Sequence, residues 1–452
     1  MADLIAAIAT PPLPGAIGIL RLSGEGAIAA AEQVFQTQSG RLLSSVPNRQ
    51  LVLGTLCDRS GTPIDQAMAF VSRAPHSYTG EETAEFQCHG SPMVLSLAME
   101  SVFAAGARQA AAGEFTKRAF LNGKLDLTRA EAVVDLIDAE TPAAARQAAA
   151  QLGGALLQKT EDIYKGLVDL SAHFHAVLDY PEEDIDPFRE KTIQDALSVG
   201  IHDLEALLAT YERGRQIAYG VTCAILGRPN AGKSSLLNAL LGFERAIVTA
   251  VPGTTRDTIE ARTTLGGVLL RLIDTAGLRE TDDPIEQMGT ARSRAAAQDA
   301  QLVLLVLDSS VPLSREDETA MELAAAAPAC VCILNKSDLP SVLDVNALHT
   351  RFPALCEVSA LTGTGLTAIG DTIAALFPAG SNRNPLLTNE RQFSAASRAC
   401  ESLHRAEANP ELPPDLLLMD VEEAMSALGE LTGRTISEDV TSRIFERFCV
   451  GK

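Results

Sequence analysis

No uninterrupted apolar run in this 452-residue chain approaches the roughly 20 residues that span a bilayer, so no membrane span is expected. The start, Met1-Ala2-Asp3-Leu4-Ile5, has no basic stretch and no cleavage pattern, which leaves no signal peptide to expect. Eight cysteines form no C-x-x-C pair, which argues against a zinc site and against a disulfide framework. Cys223, Cys330 and Cys332 fall in apolar segments and read as small core residues. These absences together point to a reducing cytoplasm. Positive charge is also short: 37 Lys and Arg against 58 Asp and Glu leave a net charge of −21. That disfavours a large electrostatic footprint on nucleic acid, and most of all in 119–216 and 381–452, where most of the acid lies. A basic partner protein could supply the positive surface instead. The acidic stretch Asp179-Tyr180-Pro181-Glu182-Glu183-Asp184-Ile185-Asp186 lacks the glycine and terminal Glu of an EF-hand and reads as a solvated turn.

What is present is centred on Gly227-Arg228-Pro229-Asn230-Ala231-Gly232-Lys233-Ser234-Ser235, a match to G-x-x-x-x-G-K-[ST]. The apolar run Val221–Leu226 before it has strand length, and Ser234–Leu241 after it has helical spacing. Chemistry requires this order. Glycines let backbone N–H groups turn toward phosphate oxygens, and the helix presents its positive N-terminal end. Lys233 reaches the β- and γ-phosphates in such a loop, and the Ser234 hydroxyl holds Mg²⁺.

Four further motifs follow in order: Gly253-Thr254-Thr255-Arg256-Asp257, Asp274-Thr275-Ala276-Gly277, Asn335-Lys336-Ser337-Asp338 and Ser359-Ala360-Leu361. Asp274 ends an apolar run, where a carboxylate can hold Mg²⁺ through water. The Gly277 amide can meet the γ-phosphate, and Thr255 offers Mg²⁺ a second hydroxyl on a loop ordered by that phosphate. Asp338 can accept two hydrogen bonds from guanine, which adenine does not offer. The set resembles the GTPase domain of the translation-factor superclass, with GTP as its ligand. The contacts expected of it run over 230–235, Thr249-Ala250-Val251-Pro252, 253–255, 274–277, 335–338 and 359–361.

Elsewhere, 1–118 reads as an α+β unit, with strands at 16–22, 50–56 and 66–71 and helices at 26–35 and 92–105. On composition alone, Thr79–Glu85, Cys88–Gly90 and Gly113–Lys124 are solvated loops. From 119 to 216 the spacing turns helical: 125–139 with Thr128 as cap, 143–157, 159–178, and 192–213 with Gly214 as its stop. Helices resume at 387–406, 414–431 and 440–448. About 70 residues of helix rarely sustain a core alone. The economical reading is one all-α bundle, 119–216 with 381–452, into which an α/β P-loop domain, 217–380, is inserted.

The chain ends Phe448-Cys449-Val450-Gly451-Lys452, and a terminal Cys-aliphatic-Gly-Lys resembles the MnmE (TrmE) family of tRNA wobble-uridine modification GTPases. Ala9-Thr10-Pro11-Pro12, Gly18-Ile19-Leu20-Arg21, Tyr78-Thr79-Gly80-Glu81, Gly113-Glu114-Phe115 and Ala119-Phe120-Leu121-Asn122 match as well, so the resemblance covers the whole chain. It implies a tetrahydrofolate-binding-like N-terminal domain that forms a homodimer. Contacts to a 5-formyl- or 5,10-methylene-tetrahydrofolate would fall on Arg21, Glu85, Lys124 and Lys452. It implies a flavoprotein partner, MnmG (GidA), in a heterotetramer or larger complex, and tRNA as substrate. The role of Cys449 stays open.

Leu278 stands where Ras-like proteins carry a water-orienting Gln, and a leucine cannot orient water. The resemblance implies that Glu286 does so; without it, Glu286 reads as an exposed loop charge. It also implies K⁺ in place of an arginine finger, held by Asn230, Thr249, Val251 and Thr254 when two GTPase domains meet. Lys233, Thr255 and Glu286 are then the catalytic set. The alternative is a ribosome-assembly GTPase, but such proteins usually append a basic RNA-binding domain and none is visible.

Overall fold

The structure, a computed structural model, describes residues 3–179, 190–243, 261–273, 295–378, 386–410, 412–435, 438–446 and 448–451. The chain divides into two compact units: Met1–Val134 with Thr160–Ile185 and Glu411–Lys452, and Asp135–Lys159 with Asp186–Pro410.

The first unit is built on a seven-stranded sheet of β1 (Ile5–Ile8), β2 (Gly15–Ser23), β3 (Phe35–Thr37), β4 (Val52–Cys57), β5 (Pro63–Ser72), β6 (Thr83–Gly90) and β7 (Arg108–Gln109), in the order β3-β4-β5-β6-β2-β1-β7. Period-two alternation puts Leu20, Leu22, Ala84 and Phe86 into one core with helices Ala27–Val34 and Pro92–Ala104. Arg21, between the two leucines in sequence, therefore projects from the other face, and the antiparallel register sets it opposite Glu85.

All three stretches read as loops overlap regular structure. Thr83–Gly90 is a central strand, and Glu114–Leu121 is a helix with Phe115, Thr116, Arg118 and Ala119 buried. Composition averages over both faces, so it hides an alternation whose charged members find partners across the fold. Arg118 shows this: it donates to the Asp3 carbonyl and carboxylate, Glu81 and Glu114 at 2.7–3.1 Å.

The helical boundaries also differ from expectation. The cap of Leu127–Ile137 is Asp126, whose Oδ1 accepts from the backbone N–H groups of Thr128 and Arg129, not Thr128. The break expected at 158 falls at Gly153-Gly154, between helices Pro142–Leu152 and Ala155–Asp179. The 192–213 helix is two, Glu190–Leu208 and Tyr211–Tyr219, with Gly214 inside the second. Gly214 is glycine for clearance, because a Cβ there would overlap the Leu387 carbonyl oxygen.

The second unit holds a six-stranded sheet: β8 (Val221–Leu226), β9 (Ala261–Leu265), β10 (Val268–Leu272), β11 (Leu302–Asp308), β12 (Cys330–Asn335) and β13 (Leu355–Glu357), in the order β13-β12-β11-β8-β10-β9. All neighbours are parallel except β9 with β10. Every residue of β11 is buried, as a parallel strand covered on both faces requires. The chain leaves β8 toward β10 on one side and β11 on the other. That makes the carboxyl end of β8 a topological switch point, where open α/β sheets bind ligands.

Candidate nucleotide site

Three strand ends converge at this point. β8 delivers the phosphate loop, β11 ends on Asp308 and β12 ends on Asn335. In the loop, Asn230 has φ 61° and Gly232 φ 96°, the left-handed region that glycine, and to a lesser extent asparagine, adopts most readily. Gly232 is required twice over, because a Cβ would also overlap Asn335 Nδ2. That amide is the joint of the site. Asn335, 2% exposed, donates from Nδ2 to the Ala231 carbonyl at 3.0 Å and accepts at Oδ1 from the Ala360 N–H at 3.0 Å. Phosphate loop, base motif and the 359–361 loop are thereby pinned together.

Helix Lys233–Phe243 begins at the loop lysine. Lys233 Nζ donates to the carbonyls of Gly227 at 2.8 Å and Arg228 at 2.9 Å. Burial pushes its pKa down and the Glu316 carboxylate partly opposes this. A half-buried ammonium held by neutral carbonyls is matched to an anion, and nucleotide phosphates supply one. Ser234 follows half-buried, and Ser235 is exposed.

At the base end, Asp338 is solvent-exposed, and its Oδ1 accepts from the Ser359 hydroxyl at 2.6 Å. This leaves the other carboxylate oxygen for a purine edge. Ser337 donates its N–H to the Val358 carbonyl, and Leu361 is 85% exposed. Asp338→Asn is expected to weaken GTP binding by about 3 kcal/mol, the scale of a lost charge-assisted pair, and to shift preference toward xanthine nucleotides. Titration with GTP and XTP measures both, and unchanged GTP affinity would remove Asn335–Asp338 from base recognition.

Sequence reading missed Asp308, which is 6% exposed. Lys336, at φ 66°, donates from Nζ to its Oδ2 at 2.6 Å, and Arg228 of the phosphate loop lies 3.6 Å away. Burial raises the Asp308 pKa, but hydrogen bonds from Lys336 and Ser310 outweigh it and hold the carboxyl below its usual range. Its only signal in the sequence is an acidic residue closing an apolar run.

Of the remaining nucleotide residues, Thr249, Ala250, Val251, Pro252, Gly253, Thr254, Thr255, Asp274, Thr275, Ala276 and Gly277 lie outside the described residues, as do Leu278 and Glu286.

In the first unit, Arg21 Nε and Glu85 Oε2 pair at 3.1 Å, with the Arg21 guanidinium 5.8 Å from the Phe115 ring centroid. Lys124 is separate from that pair: its Nζ donates to the Pro75 carbonyl at 3.0 Å. Asn122 donates to the Thr79 carbonyl, and Tyr78 shares a 2.9 Å hydroxyl contact with Thr116. Tyr78, Thr79 and Asn122 lie in segments that carry the resemblance, but the sequence assigned them no role. The C-terminal segment joins the same unit, with Val450 bridged to Ala112 and the Gly113 N–H donating to the Cys449 carbonyl at 3.3 Å. Cys449 is exposed, and Lys452 lies outside the described residues. Among the described residues, no helix is long and apolar enough to cross a membrane.

A phosphate loop after β8, with a carboxylate-bearing base motif closing β12 beside it, defines a P-loop protein that binds guanine nucleotide. Comparison with known proteins narrows the class. Residues 4–124 match the family described as GTP-binding protein TrmE N-terminus, and residues 127–449 match the MnmE helical domain. A tRNA modification GTPase MnmE of Thermus thermophilus is 46% identical over 100% of this chain and 99% of its own length. One from Roseiflexus sp. is 43% identical, over 100% and 99%. A solved G domain of the T. maritima FeoB iron transporter covers 34% of this chain and 97% of its own, at 28% identity and a TM-score of 0.27. The chain belongs to the MnmE family of tRNA modification GTPases, and it is a GTP-hydrolysing enzyme.

Proposed function

We propose that this chain is the GTP-hydrolysing component of a complex that adds a carboxymethylaminomethyl or aminomethyl group to carbon 5 of the wobble uridine, U34. The carbon comes from a 5-formyl- or 5,10-methylene-tetrahydrofolate, and an MnmG-type flavoprotein is the partner. The observation that carries the reading is the Arg21–Glu85 pair. A carboxylate such as Glu85 suits the donor pair of a pterin edge, and cations such as Arg21, Lys124 and Lys452 suit a folate's glutamate tail. The C-terminal segment bridged beside Gly113 supports it, because it keeps Cys449–Gly451 in the unit that holds the pair.

In the nucleotide site, Lys233 neutralises the β- and γ-phosphates, while the Ser234 and Thr255 hydroxyls hold Mg²⁺. Asn230 with Thr249, Val251 and Thr254 holds K⁺, and Glu286 orients water once two GTPase domains meet in the homodimer. The domains run 1–118, 119–216, 217–380 and 381–452. Insertion of 217–380 into the helical body lets the hydrolysis cycle pull on that body at both ends.

The direct test of the folate reading is binding of a reduced folate by the purified protein. Glu85→Gln, which removes the charge facing the pterin donors, is expected to weaken that binding tenfold or more while GTP turnover is unchanged. Equal folate affinity in the variant would take the Arg21–Glu85 pair out of the donor site. The test of the whole reading is mass analysis of tRNA nucleosides from cells with and without this gene.

A further inference from the structure

The geometry points to a transition-metal site on the helical part of the second unit, formed by Cys400, His404 and Glu205, with Zn²⁺ as the ion it suits. One ligand atom from each side chain lies within 4.8 Å of the other two. Cys400 and His404 are four apart on helix Glu390–Ala408, so they share a face, and Glu205 comes from helix Glu190–Leu208 packed against it. Thiolate, imidazole and carboxylate are the donors zinc takes, and bonds of about 2.0–2.3 Å in a tetrahedron set ligand atoms about 3.3–3.8 Å apart. His404 Nε2 and Glu205 Oε1 stand 3.1 Å apart, and all three ligand atoms lie within 4.8 Å of one another, near that spacing.

The surroundings favour an ion over a plain surface ion pair. The other imidazole nitrogen, His404 Nδ1, faces Glu407 at 3.8 Å, and Glu407 is itself held by the Ser198 hydroxyl at 2.7 Å. A metal-bound histidine is ordinarily oriented in this way, with a carboxylate on its second nitrogen. Cys400 is buried while Glu205 and His404 are exposed, which leaves one side of the site open for a water as fourth ligand. Burial together with the Glu205 and Glu401 charges raises the thiol pKa, so the free protein keeps the proton on sulfur. Binding therefore forms the metal–sulfur bond and releases that proton to solvent, one per ion. The charge of the bound set is neutral: a dication with one thiolate, one carboxylate and a neutral imidazole. The absence of C-x-x-C pairs argues against a zinc site in the sequence, but a site of this kind needs no such pair, because its third ligand arrives from another helix.

The two helices flank the GTPase segment in sequence, so an ion here would clip together the chain entering and leaving that segment. The test is titration of the full-length, nucleotide-free protein with Co²⁺, followed by competition with Zn²⁺. The expected result is one equivalent of thiolate-to-cobalt charge-transfer absorption, lost on adding Zn²⁺ and in Cys400→Ser, and retained in Cys449→Ser. Glu407→Gln, which touches no ion directly, is expected to weaken Co²⁺ tenfold or more. GTP binding by each variant verifies that it is folded. No absorption in the native protein, a band that survives Cys400→Ser, or one that disappears in Cys449→Ser would each overturn the site.

Discussion

Replacing K⁺ with Na⁺ is expected to slow GTP turnover by about 10³-fold, roughly 4 kcal/mol of transition-state stabilisation. The argument begins with Leu278, an apolar side chain at the position from which a glutamine would orient water. A GTPase without that residue, and without an arginine placed by a partner, has charge developing between the β- and γ-phosphates and no cation against it beyond Mg²⁺ and Lys233. In the proposed reading Asn230 supplies an oxygen to a monovalent ion from the middle of the phosphate loop, on a backbone held at φ 61°. The proposed cage is of hydroxyl and carbonyl oxygens sized for K⁺, which the smaller Na⁺ would not fill. In the proposed reading the cage completes when two GTPase domains meet, so specific activity is also expected to rise with protein concentration for the isolated segment 217–380. Steady-state turnover in matched KCl and NaCl, over a dilution series, reads both effects. Equal rates in the two salts would sink the idea, as would full activity of the isolated segment at high dilution.

Lys233→Ala and Glu286→Ala are expected to abolish the carbon-5 substituent on wobble uridine equally while differing in nucleotide binding. Lys233 Nζ lies against the loop carbonyls of Gly227 and Arg228, with burial already lowering its pKa. Removing the side chain takes away the positive charge the loop offers phosphate, so GTP affinity falls with activity. Glu286 acts on water in this reading, so its loss leaves GTP affinity near the native value while turnover collapses. Nucleoside mass analysis of tRNA from strains carrying each variant, alongside a GTP titration of each protein, separates the two. Normal modification in the Glu286→Ala strain would mean that binding suffices and the hydrolysis cycle does not gate the chemistry. Normal tRNA in a strain lacking the gene, with immature ribosomal subunits accumulating, would replace the tRNA reading with the assembly GTPase.

The phosphate loop could be read from sequence because its chemistry is local. Backbone amides wrapped around phosphate demand glycines and a lysine at fixed spacing between a strand and a helix, so Gly227–Ser235 identifies itself without the fold. Asn335–Asp338 is legible for the same reason, as a carboxylate on a loop that closes an apolar strand. The fold class followed from similar signals, since apolar runs of strand length alternate with helical spacing through 217–380. Helix ends were less legible. Gly214 reads as a stop by composition, yet it lies within a helix, where its missing side chain admits the Leu387 carbonyl.

Tertiary structure alone decided the rest, because the charge partners that shape these sites are remote in sequence. Arg21 and Glu85 stand 64 positions apart and meet only through the β2–β6 register, so composition left Thr79–Glu85 looking like a loop. The Asn335 amide reaches back 104 residues to Ala231, a contact that depends on β11 lying between β8 and β12. Asp308 owes its position against Lys336 and Arg228 to that same strand order, and Glu205 meets Cys400 and His404 only because two helices pack side by side. A linear pattern records which groups a chain carries and their local period. A buried carboxylate takes its partner from whichever strand or helix the core sets beside it, and hydrophobic packing, not local spacing, makes that choice.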